Sequence, residues 1–262
     1  MGHVHPILFT LPNGFAIHVY GFLIALGTVL AVGIASRWGV KDGLDKDLFT
    51  DIGFWAILAG VVGARAEYIR VNRHQFDSIQ QMINVRDGGL VYYGALLAVL
   101  FTFGIIIWRK KLPPLKVLDV MAPMIPFGII FGRLGCYFAG CCYGDATDVA
   151  WAITFPPIEG IPAPSGIPLH PTQLYEVGYG ALLFGGLFWM RQHKRFDGQL
   201  ILTFLTVYPI LRSINELFRG DPGRGWFWED VLGQTLSNAQ FISILVAIAA
   251  GSGWAWLFNR TR

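Results

Sequence analysis

The sequence predicts an all-α polytopic membrane protein. It has about seven transmembrane helices, an N-terminus outside, a cytoplasmic C-terminus and a small outer loop or head region. Three observations lead there. Of the 262 residues, 54% are hydrophobic and only 14% charged, where soluble domains carry about a quarter charged. Apolar runs near the roughly 20 residues a span requires occur at Ile17–Ser36, Phe49–Ile69, Gly89–Trp108, Val117–Gly135, Thr172–Met190, Gln199–Phe218 and Phe241–Phe258. The segments after the first, third, fifth and seventh runs hold twelve of the twenty basic residues, including every lysine: Lys41, Lys46, Lys110, Lys111, Lys116 and Lys194. The stretch before the first run has no Lys or Arg, so the positive-inside bias sets the orientation. The net charge of +3 is too small to suggest a nucleic-acid partner. Residues 1–262 read as one domain, with residues 136–171 as an outer head or flap within it.

The first run follows Met1-Gly-His-Val-His5 and is expected to remain a membrane helix rather than a cleaved leader. Tyr20, just after His18, suits an interfacial anchor. The second run ends Gly63-Ala-Arg-Ala-Glu-Tyr-Ile69. Arg65 and Glu67 are two apart and cannot face each other on a helix; each must find another partner or snorkel to the interface. The third opens Gly88-Gly-Leu-Val-Tyr-Tyr-Gly94, where Tyr92 and Tyr93 suit the interface as well.

The fourth run leads into Phe131-Gly-Arg-Leu-Gly-Cys-Tyr-Phe-Ala-Gly-Cys-Cys-Tyr-Gly144, the most informative stretch of the chain. Arg133 falls at or near membrane depth, where a charge costs about 2.5–3.5 kcal/mol unless it meets a cavity or partner. A guanidinium among glycines is a candidate phosphate site, since its fork grips phosphate oxygens in a bidentate way. Cys136, Cys141 and Cys142 lack the paired CxxC spacing or histidine cluster of a zinc site. Packing and pocket lining are expected of them, a Cys136–Cys141 disulfide is the alternative, and no metal or cofactor is expected. The Pro- and Gly-rich stretch up to Pro171 is too broken to span.

The fifth run opens His170-Pro-Thr-Gln-Leu-Tyr-Glu176, with Pro171 at an ordinary helix start and Glu176 one turn inside. In the sixth, Arg212, Glu216 and Arg219 are spaced i, i+4, i+7 and share a face. They are either a plain intrahelical salt bridge or, with two cations to one acid, an anion site with charge to spare. Trp226, Phe227 and Trp228 then suit an interfacial aromatic belt.

These pieces, in this order, resemble the prolipoprotein diacylglyceryl transferase family. The matching segments are Tyr20-Gly-Phe-Leu, Gly63-Ala-Arg65, Asp87-Gly-Gly-Leu-Val-Tyr-Tyr-Gly94, Ala122-Pro-Met-Ile-Pro-Phe-Gly128, Gly132-Arg-Leu-Gly135, His170-Pro-Thr-Gln-Leu-Tyr-Glu176 and Arg212, Glu216 and Arg219-Gly-Asp-Pro222. The resemblance implies a multi-pass enzyme of the bacterial cytoplasmic (inner) membrane, with phosphatidylglycerol, the lipobox of preprolipoprotein signal peptides and the bilayer as partners. It would move the diacylglyceryl group of phosphatidylglycerol onto the lipobox cysteine, forming a thioether and releasing glycerol 1-phosphate. By resemblance Arg133 and Arg212 hold the phosphate and Glu216 orients Arg212. Tyr20, Arg65, Gly144, Gln173 and Glu176 line the phospholipid site.

The chain departs from the family's usual pattern. Cys136, Ala139 and Cys141 stand where the glycine-arginine segment usually has two asparagines and a glutamate, which marks a Cys-rich version. Tyr93 stands where a histidine is frequent. Tyrosine is a poor base at neutral pH, so Tyr93 and His170 are both candidates for the catalytic proton acceptor, beside solvent or lipid phosphate. Two other readings stay open: the same fold with another acceptor, and a non-catalytic lipid-binding or transport protein. Matched halves with broken helices, which mark transporters, are not evident.

Overall fold

The computed structural model describes residues 5–12, 14, 16–76, 78–84, 89, 91–158, 160–221 and 236–260. Of the expected features, Asp87, Gly88, Leu90, Pro222, Trp226, Phe227, Trp228, Arg262 and residues 1–4 lie outside them. The described chain is mostly helical. Its nine helices are α1 (Val19–Lys41), α2 (Leu48–Val71), α3 (Ile79–Ile83), α4 (Tyr92–Arg109), α5 (Pro114–Met121), α6 (Met124–Ala139), α7 (Thr172–Arg191), α8 (Gln199–Glu216) and α9 (Asn238–Arg260).

Among the described residues, four stretches are long and apolar enough to cross a membrane: α1, α2, the 26 residues of α5 and α6 taken together, and α9. α4 is apolar but shorter. α7 and α8 fall outside this set, and both carry buried polar residues: Thr172, Gln173 and Glu176 on one, Asn215 and Glu216 on the other. The fourth expected span is two helices rather than one. Pro123 has no N–H to continue the ladder and stands at the N-cap of α6.

The chain forms two compact units, residues Val32–Val117 and residues Met1–Ala31 with Leu118–Arg262. In the first, α2 packs on α4 through small residues. A side chain at Gly63 would run into Ala98 and, at 2.5 Å, into the carbonyl of Gly94. Small residues let two backbones approach where lipid offers no hydrophobic drive. Lys110, beyond α4, pairs with Asp51 of α2 at 2.7 Å, and this hydrogen bond raises the ammonium above its ordinary value.

In the second unit α6 packs on α7, α7 on α8 and α8 on α9. Ala122, Leu187, Leu200, Ile201 and Phe204 form its core. The first amides of α8 have no partner within the helix. Asp119 of α5, fully buried, accepts from the N–H groups of Gly198, Leu200 and Ile201 at 2.9, 3.0 and 3.1 Å. A carboxylate at a helix N-terminus also meets the positive end of the dipole. An apolar cleft of about 430 Å³ runs between α8 and α9, lined by Pro209, Ile210, Ile214, Ile244 and Ile248 among others.

The stretch before α1 is a hairpin, β1 (Ile7–Thr10) against β2 (Ala16–His18). Residues 140–171 close over the end of α6 as a cap. Two short antiparallel strands, β3 (Ile153–Thr154) and β4 (Pro168–Leu169), brace it, around buried Phe155, Ala163 and Leu169.

Candidate active site

Helical spacing decides which side chains can meet. Arg133 sits on the last two turns of α6, and Glu176 one turn into α7. Arg133 Nε lies 2.9 Å from Glu176 Oε2, and the carboxylate is almost wholly buried. Glu176 also accepts from the Tyr208 hydroxyl at 2.9 Å and faces Asn215 Nδ2 at 3.5 Å. A buried charge needs a partner and further hydrogen bonds to be tolerated, and Glu176 has both. Neither the Arg133–Glu176 pair nor the parts of Tyr208 and Asn215 follow from local spacing. The only sequence signal is that Tyr208 and Asn215 extend the Arg212 stripe, one turn before it and one turn after.

The second pair lies on α8 itself. Arg212 donates to Glu216, which is 2% exposed, and Arg219 Nη1 approaches the same carboxylate at 3.7 Å. Of the two readings open for the stripe, the one with a spare positive charge meets a further acid: Asp221 takes Arg219 in a bidentate grip at 2.7 and 2.6 Å. The acid lies beyond the helix end, outside the i, i+4 window in which partners can be read. Burial lowers the Arg219 pKa and the Asp221 bond raises it, with a net rise. Three arginines therefore face three carboxylates, and an anionic ligand would bind by exchanging partners.

Gln173 and Thr172, both buried, hold the turn after α6. Gln173 Nε2 donates to the Cys141 carbonyl at 2.8 Å, and Thr172 Oγ1 to that of Cys142 at 2.7 Å. α6 ends at Gly140, which is left-handed at φ 66°, and Cys142 follows at φ 58°. This reversal brings the Cys136, Cys141 and Cys142 sulfurs within 4.8 Å of one another. The C-x4-C-C spacing gave no hint of that convergence. All three are free thiols and half-buried. Hydrogen bonds from the other two thiols hold the Cys142 thiol well below its ordinary range. Burial opposes this, and the Arg133 and Arg219 charges assist. Donating to both neighbours, and burial, push Cys141 up.

The other candidates are placed as follows. Tyr20, on the first turn of α1, packs on Gly135, where a side chain would meet its ring at 2.8 Å. Gly144 pairs with Arg219 in a short antiparallel bridge and donates to the His170 carbonyl at 3.0 Å. A side chain there would meet the His170 and Phe218 carbonyls at 2.6 Å, so glycine is needed for the crossing. His170 belongs to the cap rather than to the arginine cluster. Its Nδ1 lies 3.0 Å from the Tyr175 hydroxyl, which also accepts from Trp151 at 2.8 Å, and its ring packs on Phe218.

Arg65 and Tyr93 lie in the other compact unit. Arg65 donates to the carbonyls of Met82, Gln81 and Gly89 at 2.7, 2.7 and 3.2 Å and lies over the Tyr68 and Phe76 rings. It thereby ties the connection between α2 and α4 to the end of α2. Glu67 pairs with Arg70 at 2.6 Å. Tyr93 is 53% exposed on the first turn of α4.

Residues 6–256 match the model of one family, prolipoprotein diacylglyceryl transferase. The chain belongs to that family. Relatives named phosphatidylglycerol–prolipoprotein diacylglyceryl transferase include one from Clostridium tetani, 32% identical over 93% of this chain and 94% of its own. Another, from Campylobacter curvus, is 34% identical over 93% and 90%. A third, from Finegoldia magna, is 32% identical over 90% and 89%. The match takes in every candidate residue discussed above, and the chain is a multi-pass membrane transferase of this family.

Proposed function

We propose that the chain transfers the diacylglyceryl group of phosphatidylglycerol to the lipobox cysteine of exported preprolipoproteins, in the bacterial cytoplasmic membrane. The observation that carries this is the match to the transferase family over residues 6–256, with the paired arginines Arg133 and Arg212 inside it. The acceptor sulfur attacks the glyceryl carbon that bears the phosphate ester, and its electron pair forms the thioether. The carbon–oxygen bond breaks, its pair leaves with glycerol 1-phosphate, and the thiol proton goes to a base or solvent.

Charge develops on the departing phosphate, so preorganised donors aimed there lower the barrier. Arg133 and Arg212 fill that role, with Glu176 and Glu216 as the positioning residues that hold them while the site waits. The apolar cleft between α8 and α9 suits an acyl chain. The finer topology belongs to this reading as well: seven spans, the N-terminus and residues 136–171 outside, and the lysine-bearing loops in the cytoplasm. Tyr93 and His170 remain the candidate proton acceptors, Tyr20 and Gln173 the candidate lining.

The test is transfer by the purified protein. Labelled diacylglyceryl should move from phosphatidylglycerol to a lipobox peptide, and a peptide with Cys→Ser should not react, because a hydroxyl ionises far less readily than a thiol. A folded protein that lipidates no peptide refutes the proposal.

A further inference from the structure

We propose that Cys136, Cys141 and Cys142 form a three-thiolate zinc site whose fourth position takes the acceptor cysteine. The inference rests on the transferase reading above. The chain reversal after α6 brings three thiols together. Their sulfurs lie within 4.8 Å of one another. Zinc–sulfur bonds of about 2.3 Å put tetrahedral sulfurs about 3.8 Å apart, a distance that small χ1 rotations reach. Three protein ligands and one open position are the mark of a catalytic rather than a structural zinc.

The backbone is built to hold that arrangement. Cys142 occupies the left-handed region at φ 58°, which costs about 1–3 kcal/mol in a residue with a side chain and persists only where the surroundings impose it. Here they do. The Cys141 N–H donates to the Cys136 carbonyl at 3.1 Å, and Gln173 and Thr172 clamp the carbonyls of both loop cysteines. Plain packing asks for no such clamp. Electrostatics fit too. Three thiolates with one divalent cation carry one net negative charge, and Arg133 stands one turn before Cys136 on α6.

The site supplies what the candidate bases lack. A thiol bound to zinc gives up its proton outright, and a nucleophile can be activated by metal coordination instead of by a base. The acceptor R–SH would bind as R–S⁻, releasing one proton to solvent. Its sulfur pair then forms the carbon–sulfur bond as the carbon–oxygen pair leaves with the phosphate. Zinc stays divalent throughout, and Tyr93 and His170 need move no proton.

The experiment uses the full-length protein in detergent micelles. Elemental analysis should find about one zinc per chain, as a four-coordinate site requires. Single Cys136→Ser, Cys141→Ser and Cys142→Ser variants should lose most of it while unfolding at near-normal temperature. Thr172→Val should weaken zinc affinity by about 10–100-fold, as support residues around a metal do. Cobalt in place of zinc should show sulfur-to-metal charge transfer and tetrahedral ligand-field bands. These bands should shift with a lipobox peptide and not with its Cys→Ser analogue. Thiolate bands absent from cobalt-treated protein, a Cys136–Cys141 disulfide in protein purified without oxidant, or full transfer by metal-free protein would each overturn the proposal. Cobalt bands that respond to the peptide without any transfer would uphold the metal site and refute the transferase reading alone.

Discussion

Glu176 is the residue on which the candidate site turns, and its removal has a calculable effect. Glu176→Ala takes away the partner of Arg133 at 2.9 Å and the acceptor of the Tyr208 hydroxyl at 2.9 Å. Removing one member of a buried pair costs about 3–5 kcal/mol, and an orphaned hydrogen bond about 1 kcal/mol. The Arg133 side chain is 21% exposed and can turn partly to solvent, which favours a total near 3 kcal/mol. Expressed in the transition state, that is about 150-fold in transfer rate. Glu176→Gln keeps an acceptor for Tyr208 and loses only the charge, so about 10-fold is expected. Transfer to a lipobox peptide and thermal unfolding in the same detergent measure both. The decisive comparison is the double variant with Arg133→Ala, whose coupling to Glu176→Ala should be about 2–3 kcal/mol. Strictly additive losses would show that Glu176 does not hold Arg133.

Three further predictions follow from other contacts. Arg133→Ala should cut transfer by more than about 100-fold while the protein still inserts, and Arg133→Lys should restore only part, because an ammonium lacks the planar fork; near-normal turnover in the alanine variant would misplace the phosphate site. Asp119→Ala should lower the unfolding midpoint by the equivalent of about 3 kcal/mol, since three amides at the start of α8 lose their acceptor, with Asp119→Asn in between; an unchanged midpoint in both would remove Asp119 from the account of stability. Gly63→Ala should reduce yield and protease resistance through its collision with the Gly94 carbonyl. Gly104→Ala, with open space at the same helix pair, should be neutral or stabilising by up to about 1 kcal/mol, and equal behaviour of the two would refute close packing of α2 on α4.

What the sequence makes legible here is local. Each expected apolar run contains helix among the described residues, and four of the helical stretches are long and apolar enough to cross a membrane, because apolar side chains leave a readable record. The break at Pro123 hides inside one of these runs. Arg212, Glu216 and Arg219 could be placed on one face from their spacing alone. Asp221 could not be added to them, since it lies past the helix end where spacing has no meaning. Arg133 and Glu176 are 43 positions apart, and only the packing of α6 on α7 brings them together. Arg65 is recognisable as a charge in need of partners, yet the partners described for it include three backbone carbonyls, which any sequence offers. The three thiols converge through a chain reversal at Gly140 and Cys142, and composition carries no trace of such a turn. Asp119 looks, in sequence, like a single acid near the edge of an apolar run.

That acid also sets an order of events during synthesis. Its first amide partner lies 79 residues downstream. At about 5–20 residues per second, the ribosome reaches Gly198 some 4–16 s after Asp119. Lys194, which pairs with Asp119 at 3.3 Å, emerges only four residues before Gly198, so for nearly all of that interval the carboxylate has neither its cation nor its amides. A nascent chain with α5 in hydrocarbon would leave that charge unpaired, so α5 is expected to stay at the water interface, or in the insertion machinery, until Lys194 and the start of α8 arrive. Settling of the fourth apolar run is thus coupled to the birth of the sixth. A ribosome pause placed between residues 119 and 198 would prolong the vulnerable state and expose the chain to quality-control proteases, with no effect on the finished enzyme.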